Sequence, residues 1–473
     1  MKKIKKIVTL RLALGVAYAI FTQLVFGQYQ TGELAQASPA EQGAASPEQT
    51  EPISEPKYFL PQIVGAQYTY IHQHLYPFSA AYSGKNSLTA DGDIQSTDTF
   101  GLYLGMNLIK NLQAYVDVEM FKGAGIGGTV GLGGLTNGDV IRQGATDLPK
   151  TPYIARRYLK YTLPFGDQME KVERAQDQLP GTESTTRLEF KVGTFATTDD
   201  FDHNRYANST RTQFQNWDLW NNMAWDYAAD TRGYSNGIYV GYISPRWELR
   251  ASVMQMPSVA NGQDLDAPLS KARGEQLELM LKPNQYGTVA RLLVYENIAR
   301  MGIYSDAIAI AAAQGTVPDI SADDEDGRKR LGLGINLEQP LADDGETGLF
   351  IRLGWNDGKE ETFANTEVDQ TATFGAQISG ARWKRPDDRF GIGIAINGLS
   401  SEHRDYLALG GSGFDLGDGT LNYRPEQIGE VYYRIQIWKY VQVSPDFQYI
   451  RNPGYNYDRG PARVAGFRVH LEY

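Results

Sequence analysis

Stretches in which apolar and polar residues alternate recur along most of the chain. In the last of them, Phe467, Val469 and Leu471 alternate with Arg468 and His470. A period of two predicts a β-strand with one apolar and one polar face. We count sixteen such stretches and therefore predict an all-β fold, a closed transmembrane antiparallel β-barrel of sixteen strands, in which every backbone group is paired away from lipid.

The predicted strands begin near residue 61 and continue to the end of the chain. Their approximate bounds are 61–71, 99–110, 112–121, 153–163, 185–196, 233–243, 246–256, 274–282, 287–297, 328–338, 346–356, 369–382, 390–398, 427–438, 440–451 and 462–473. Charged side chains on a lipid-facing surface at mid-depth cost about 2–4 kcal/mol each. The charged positions of these strands are therefore predicted to face a wet lumen.

The connections between the predicted strands alternate in length. Those after even-numbered strands are mostly short, and 164–184 is the exception. Those after odd-numbered strands are mostly long: 72–98, 122–152, 197–232, 298–327 and 399–426. Long loops on one side and tight turns on the other are typical of outer-membrane barrels, whose turns face the periplasm. A soluble β-sandwich has no reason to show this alternation.

The third long connection, 197–232, is hereafter called loop 3. It is rich in aromatic residues, Asp, Asn and Arg, and we predict that it narrows the pore, where aromatic rings stack on sugar faces and polar groups exchange hydrogen bonds with hydroxyls. Its candidate residues are Asp199, Asp200, Asp202, Asn204, Arg205, Arg211, Trp217, Asp226 and Arg232. The alternative, that these charges pair among themselves and fix the loop to the wall, stays open.

Inward positions of the strands supply further candidates for the pore wall. They are Asp117, Glu119, Arg156, Arg187, Arg250, Arg291 and Arg434. Charges of mixed sign across a constriction create a transverse field that orients water and favours neutral polar solutes. A predominantly basic wall would favour anions instead.

The N-terminal region divides into two predicted segments. Residues 1–27 show the basic, apolar and small-residue order of a secretory signal peptide, with a second possible cleavage site after Ala37. Residues 28–57 are rich in Pro, Ala, Ser, Glu and Gln and predict a flexible periplasmic linker. The barrel is predicted to occupy 58–473.

Composition narrows the possible functions. The chain has no cysteine, which excludes disulfides and thiolate metal sites, and its formal net charge of −11 argues against nucleic acid as a partner. We expect no cofactor and no metal site. Two short helices, near 306–314 and 404–409, are predicted to pack over the outer mouth.

Several stretches resemble the carbohydrate-selective porin family. The specific ones are VGTFATTDDFDHNRYANSTRTQFQNWDL, AWDYAADTRGYSNG and WELRASVMQMP, with support from GAGIGGTVGLGGLTNGD and EVYYRIQIWKYVQVSPDFQYIRNPG. Together they cover much of 120–473. The resemblance implies a sixteen-stranded outer-membrane barrel that takes up mono- and oligosaccharides.

The expected function is passive diffusion of carbohydrates and other small polar solutes through a charged pore. A porin for divalent cations or other ions is the alternative in the same class, and an outer-membrane barrel hydrolase is the alternative in another. No Ser-His-Asp order, glycosidase carboxylate pair or phosphate loop emerges from the sequence. Outer-membrane lipid and the barrel-assembly machinery are the expected partners, and the protein is expected to be a monomer or a homotrimer.

Overall fold

The computed structural model of the protein describes residues 58–140 and 148–473. The predicted signal peptide (1–27) and linker (28–57) lie outside the described residues. Among the described residues, no helix combines the length and the apolar character needed to cross a membrane.

Sixteen strands of the described chain form one closed antiparallel barrel, in which β1 pairs with both β2 and β18. The predicted fold class and strand number are confirmed. The barrel strands are β1 Pro61–Tyr76, β2 Asp93–Ile109, β3 Leu112–Gly123, β4 Tyr153–Pro164, β7 Arg187–Phe195, β8 Ser235–Ile243, β9 Trp247–Gln255, β10 Arg273–Leu281, β11 Val289–Met301, β12 Glu325–Ala342, β13 Thr347–Asn356, β14 Gln370–Ser379, β15 Arg389–Gly398, β16 Glu426–Trp438, β17 Val441–Arg451 and β18 Ala462–Glu472. The remaining two strands, β5 Met169–Val172 and β6 Gly181–Ser184, form a separate hairpin.

The two faces of the barrel wall differ as the alternation predicts. In β13, Ile351 and Leu353 point outward and remain 42% and 45% exposed, whereas Phe350 and Arg352 point inward and are almost completely covered. An inward arginine with no exposed surface means that other parts of the chain fill this region of the lumen. Loops from the long-connection end supply that filling.

The first outward loop is shorter than the predicted 72–98. Strand β1 continues to Tyr76 and β2 already begins at Asp93, with Gln73 opposite Gln95. Polar side chains stand on both faces of this part of the wall, so the apolar face on which the prediction depended disappears while the backbone ladder continues.

Strand β12 likewise begins within the predicted loop 298–327. It starts at Glu325, which pairs with Met301 of β11. The acidic residues at the start of this strand match no alternating pattern, because the strand here rises above the apolar band.

The exceptional connection on the short-turn side contains the one hairpin that the alternation did not predict. Residues 165–186, hereafter called the insert, join β4 to β7 and include β5 and β6. The hairpin could not be predicted from the sequence because its strands lack a buried apolar face and so do not alternate. Met169 to Lys171, for example, are exposed.

Two helices in the outward loops confirm the predicted helices over the outer mouth. They are Tyr304–Gln314 and Ser401–Ala408. Tyr304 and Tyr406 from these helices form a buried apolar cluster with Leu416 and Tyr455 from neighbouring loops. The cluster ties the outer loops to one another. A further short helix, Trp217–Trp220, lies in loop 3.

The glycine-rich segment 123–139 packs inside the barrel rather than over it. Gly131 has a φ of 83°, and a Cβ there would lie 1.8 Å from the backbone nitrogen of Leu88. A Cβ on Gly134 would lie 2.3 Å from Asp218 of loop 3. The glycines therefore allow two loops to approach each other more closely than side chains would permit.

Candidate pore constriction

Loop 3 leaves the wall after β7 and crosses the lumen to the opposite strands. Its backbone N–H groups at Gln215 and Asn216 donate to the Glu430 carboxylate of β16 at 2.6 and 2.9 Å. Its Thr210 carbonyl accepts a hydrogen bond from Arg468 of β18 at 2.5 Å. Strands β16 and β18 lie far from β7 around the barrel. The loop therefore spans the bore and reduces its cross-section.

Arg352 of β13 is a central anchor of loop 3. Its Nε lies 2.9 Å from Asp202 Oδ2, and its Nη2 donates to the carbonyl oxygens of Asp202 and Ala207 at 3.0 and 2.7 Å. Asn336 of β12 donates to Asp202 Oδ1 at 2.7 Å. Asp202 is therefore held by charge and by hydrogen bonds in a buried position, where an ion pair requires such full satisfaction.

Neighbouring candidates of loop 3 are also tied to the wall. The Asn204 side chain donates to Asn336 Oδ1 at 2.7 Å, and Asp200 lies 2.6 Å from the Lys191 ammonium group. The backbone N–H of Arg205 donates to Glu338 at 2.6 Å, while its own side chain is exposed. Of these residues, only Arg205 presents its charged group to open water.

Asp226 and Trp217 hold the second half of the loop. The Asp226 carboxylate accepts hydrogen bonds from the backbone N–H groups of Ala364 and Asn365, both at 2.9 Å. The Trp217 ring is buried and stacks on Trp220 with 6.2 Å between centroids. Both residues pack loop 3 against other loops.

The first group of charges that reaches the open bore centres on Arg156 of β4. Its guanidinium nitrogens lie 2.7 Å from Asp199, 3.2 Å from Asp117 and 3.6 Å from Asp177, and the group stands 5.1 Å from the Tyr234 ring centroid. Burial raises the pKa of Asp199, but the Arg156 charge outweighs burial and holds this pKa below its usual value. We call these five residues the Arg156 cluster.

The second group of charges centres on Arg211 of loop 3. Its Nη2 lies 3.2 Å from Glu119 of β3, its Nε lies 2.8 Å from Asp139, and its Nη1 lies 3.4 Å from the Tyr103 hydroxyl. The Tyr234 hydroxyl donates to Glu119 at 2.6 Å and so joins the two groups. We call Arg211 and its three partners the Arg211 cluster.

Water reaches both clusters. The side chains of Arg211, Asp199 and Asp177 are 21%, 23% and 20% exposed. Each guanidinium stands within 4 Å of two or three carboxylates, so charges of both signs lie side by side at this level, with acidic groups in the majority.

The other wall arginines lie apart from the two clusters, each with its own partner, whereas Arg232 adjoins the Arg211 cluster through Tyr153, whose hydroxyl donates to Glu119 at 3.2 Å. Arg232 stands over the Tyr153 ring at 4.4 Å. The wall arginines and their partners are Arg187 with Glu189 at 2.7 Å, Arg250 with Glu248 at 3.1 Å, Arg291 with Glu338 at 3.7 Å, and Arg434 with the Asp387 carbonyl at 3.5 Å.

Several residues of the site were not among the candidates. Asp139 is the last residue of the glycine-rich segment, Asp177 lies in the insert, and Tyr234 lies just beyond the end of loop 3. Arg352 and Glu430 stand on inward strand positions, which the two-residue period would have identified. For Asp139 and Asp177 no local sequence pattern gives the position.

The family model "Carbohydrate-selective porin, OprB family" matches residues 85–473. The chain belongs to this family. The porin is therefore a β-barrel of the bacterial outer membrane, and its short turns and the insert face the periplasm.

Two relatives of the porin are also named porins. "Putative porin QuiX" of Acinetobacter baylyi is 24% identical over 319 residues, which are 60% of this chain and 66% of the relative. "Porin B" of Pseudomonas aeruginosa is 30% identical over 116 residues, which are 23% of this chain and 25% of the relative. The porin thus aligns with less than two thirds of either relative's length.

The fold resembles a solved structure of the same family. The high-pH structure of Pseudomonas putida OprB superposes with a TM-score of 0.62 at 18% identity, covering 87% of this chain and 94% of that one. At this identity the similarity establishes the shared barrel fold.

Proposed function

We propose that the porin conducts small polar solutes by passive diffusion and favours carbohydrates over ions of similar size. The observation that carries the proposal is the pairing of opposite charges in the Arg156 and Arg211 clusters, where loop 3 crosses the bore. Membership of a family described as carbohydrate-selective supports the same solute class.

Paired charges suit a neutral solute that carries many hydroxyl groups. A carboxylate and a guanidinium at hydrogen-bond distance offer an acceptor and a donor side by side, and a hydroxyl group is both donor and acceptor. An ion would gain attraction from one member of the pair and repulsion from the other. A porin selective for ions requires an excess of one sign at its narrowest level, and the five carboxylates and two guanidiniums of the two clusters make cations the alternative to test.

The candidate residues divide into two proposed roles. Those that contact the passing solute are Arg156, Asp199 and Arg211, joined by Tyr234, whose ring offers an apolar face. The covered carboxylates of Asp117 and Glu119 hold the two arginines in place. Those that hold loop 3 across the bore are Asp200, Asp202, Asn204, Trp217 and Asp226. The remaining candidates line the approaches to the constriction: Arg187, Arg205, Arg232, Arg250, Arg291 and Arg434.

Swelling of proteoliposomes tests this preference with solutes matched in size. Glucose, gluconate and glucosamine share one carbon skeleton and differ in charge. We expect glucose to enter fastest, because each charged derivative is repelled by one member of every charge pair in the bore, whereas neutral glucose is not. Faster entry of gluconate or glucosamine would contradict the proposal, and reversal potentials in calcium chloride gradients separate the divalent-cation alternative.

The proposed transport involves no catalytic step. Purified porin is expected to leave phospholipid and peptide substrates intact in detergent. Hydrolysis that survives repurification and is lost on heat denaturation would favour the barrel hydrolase instead.

A further inference from the structure

The insert enters the periplasmic end of the bore and meets the constriction from below. The Leu179 side chain is buried, and its N–H donates to the Tyr115 hydroxyl of β3 at 3.3 Å. Gln176 Nε2 lies 3.5 Å from Asp117, and Asp177 lies 3.6 Å from Arg156. These contacts bring residues 176–179 against the inner face of the wall, beside the Arg156 cluster.

Arg174 extends the insert along the rim of the barrel to β1, two strands beyond β3. Its Nη2 donates to the Val64 carbonyl of β1 at 3.1 Å, and its guanidinium stands 5.7 Å from the Tyr473 ring centroid. The insert therefore reaches from β3 and β4 to the seam between the first and last strands.

Between the insert and strands β1, β2, β17 and β18 lies a cavity of about 200 Å³. The polar residues that line it include Tyr103, Arg174, Gln176, Gln442, His470 and Glu472. The hydroxyl group of Tyr103 contacts Arg211, so the cavity lies next to the Arg211 cluster. A solute that leaves the constriction toward the periplasm meets this cavity next.

The lining offers both kinds of hydrogen-bonding group. Arg174 and Gln176 supply donors, Glu472 supplies an acceptor, and Gln442 Oε1 is buried without a hydrogen-bond partner among the described residues. A small polyhydroxylated solute satisfies such a mixed set better than an apolar one does.

We propose that the insert forms a second filter in series with loop 3, a periplasmic subsite for small polyhydroxylated solutes at which Arg174 sets the local charge. The proposal rests on the proposed function of the bore as a diffusion path. It assigns a selective role to a connection that the barrel does not need for closure, since the strands on either side, β4 and β7, pair directly with each other.

A charge reversal with a matched control tests the second filter. Arg174→Glu changes the charge at the cavity by two units, and Lys171→Glu makes the same change on a residue of the same insert that does not line the cavity. In planar bilayers with a potassium chloride gradient, we expect Arg174→Glu to raise the cation-to-anion permeability ratio at least about two-fold. Lys171→Glu and the conservative Arg174→Lys are expected to stay near the wild-type ratio.

Equal shifts for Arg174→Glu and Lys171→Glu, or no shift for either, would overturn the proposal, because the insert would then lie off the solute path. Heat-modifiable migration in gels confirms that each variant is a folded barrel.

A second measurement uses the absence of native cysteine. Gln176→Cys treated from the periplasmic side with a bulky methanethiosulfonate sulfonate should lose at least about half of its conductance, and Lys171→Cys should keep it. Unchanged conductance in modified Gln176→Cys would contradict the second filter.

Titration of wild type, Arg174→Glu and Lys171→Glu with maltotriose separates the second filter from the proposed carbohydrate preference. If maltotriose blocks no form of the porin but Arg174→Glu still shifts selectivity, the insert stands as a charge filter on the diffusion path, and the carbohydrate preference fails together with the polyhydroxylated-solute subsite. If maltotriose blocks the wild type while Arg174→Glu behaves like Lys171→Glu, the carbohydrate preference stands and the second filter fails.

Discussion

Loop 3 and the insert enter the bore from opposite ends and are held in different ways. Inward charged residues of several strands hold loop 3, among them Arg352, Glu430 and Arg468, and most of the loop is buried. The insert has largely exposed residues, and its ion pairs to the wall, from Asp177, Glu183 and Glu170 to Arg156, Lys160 and Arg187, are partly exposed. The difference indicates that loop 3 is a fixed part of the barrel, whereas the insert is attached weakly enough to be changed without loss of the fold.

The largest effect is expected from removal of the main loop 3 anchor. Arg352→Ala leaves the buried Asp202 carboxylate without its charge partner, which costs about 3–5 kcal/mol of unfolding free energy. Release of the loop should also raise single-channel conductance. Urea unfolding in lipid vesicles and bilayer recordings measure the two results. Arg205→Ala, an exposed arginine of the same loop, is the control and should change neither quantity. An Arg352→Ala variant with wild-type stability and wild-type conductance would show that loop 3 is not held more firmly than the insert.

Acidification should weaken loop 3 through His203. Burial, together with Arg250 and Arg291, lowers the pKa of His203 from 6.5 to about 4. Between these values His203 is protonated in the unfolded chain but not in the folded chain. Its contribution to the free energy of unfolding is therefore fully present above about pH 6.5 and is lost as pH decreases toward 4. The loss attributable to this group is at most about 3 kcal/mol.

Unfolding free energies at pH 7 and pH 4.5 for wild type and His203→Gln measure this contribution. The variant should lose less stability on acidification, because glutamine does not titrate. Identical pH dependences would exclude His203 as the cause.

Removal of the Asp226 carboxylate, which accepts hydrogen bonds from three backbone N–H groups, should lower the free energy of unfolding moderately. Asp226→Ala leaves the backbone N–H groups of Phe363, Ala364 and Asn365 without their acceptor, which should cost about 2–3 kcal/mol. Asp226→Asn keeps one acceptor oxygen and should recover part of the loss. Urea unfolding of both variants measures the difference. Equal stabilities for Asp226→Ala and wild type would show that this contact does not hold the loop.

The smallest effect is expected in the insert. Asp177→Asn removes a partly exposed ion pair with Arg156, and such pairs contribute about 0–1 kcal/mol. Stability should therefore change little, while conductance rises slightly as residues 176–179 loosen. A loss of stability as large as that of Arg352→Ala would mean that the insert is as fixed as loop 3.

The sequence predicted the barrel and part of the constriction for physical reasons. A strand between lipid and water must alternate, so strands such as β18 and the inward position of Arg468 could be identified from the two-residue period. Asp117, Arg156 and Asp199 were candidates because charged residues on an inward face or in a long outward loop have few other places to lie. The structure brings these three residues together.

Other features of the constriction could not be predicted because they depend on distant partners. Asp199 and Asp202 are separated by three positions in loop 3, yet Asp199 faces the bore and Asp202 is buried against Arg352, 150 residues later in the chain. Nothing in the local pattern distinguishes these two aspartates. The insert has neither alternation nor a buried apolar run, so its position appears only once Tyr115 and Val64 are in place.

Loop 3, as proposed, narrows the bore to a level that carbohydrates pass and occupy. Single-channel recording of wild type and Arg352→Ala during titration with maltotriose measures this narrowing. We expect a stepwise fall of the wild-type conductance as maltotriose is added, and higher conductance with weaker block in Arg352→Ala. A wild-type conductance that maltotriose leaves unchanged, or equal block in both proteins, would contradict this proposal.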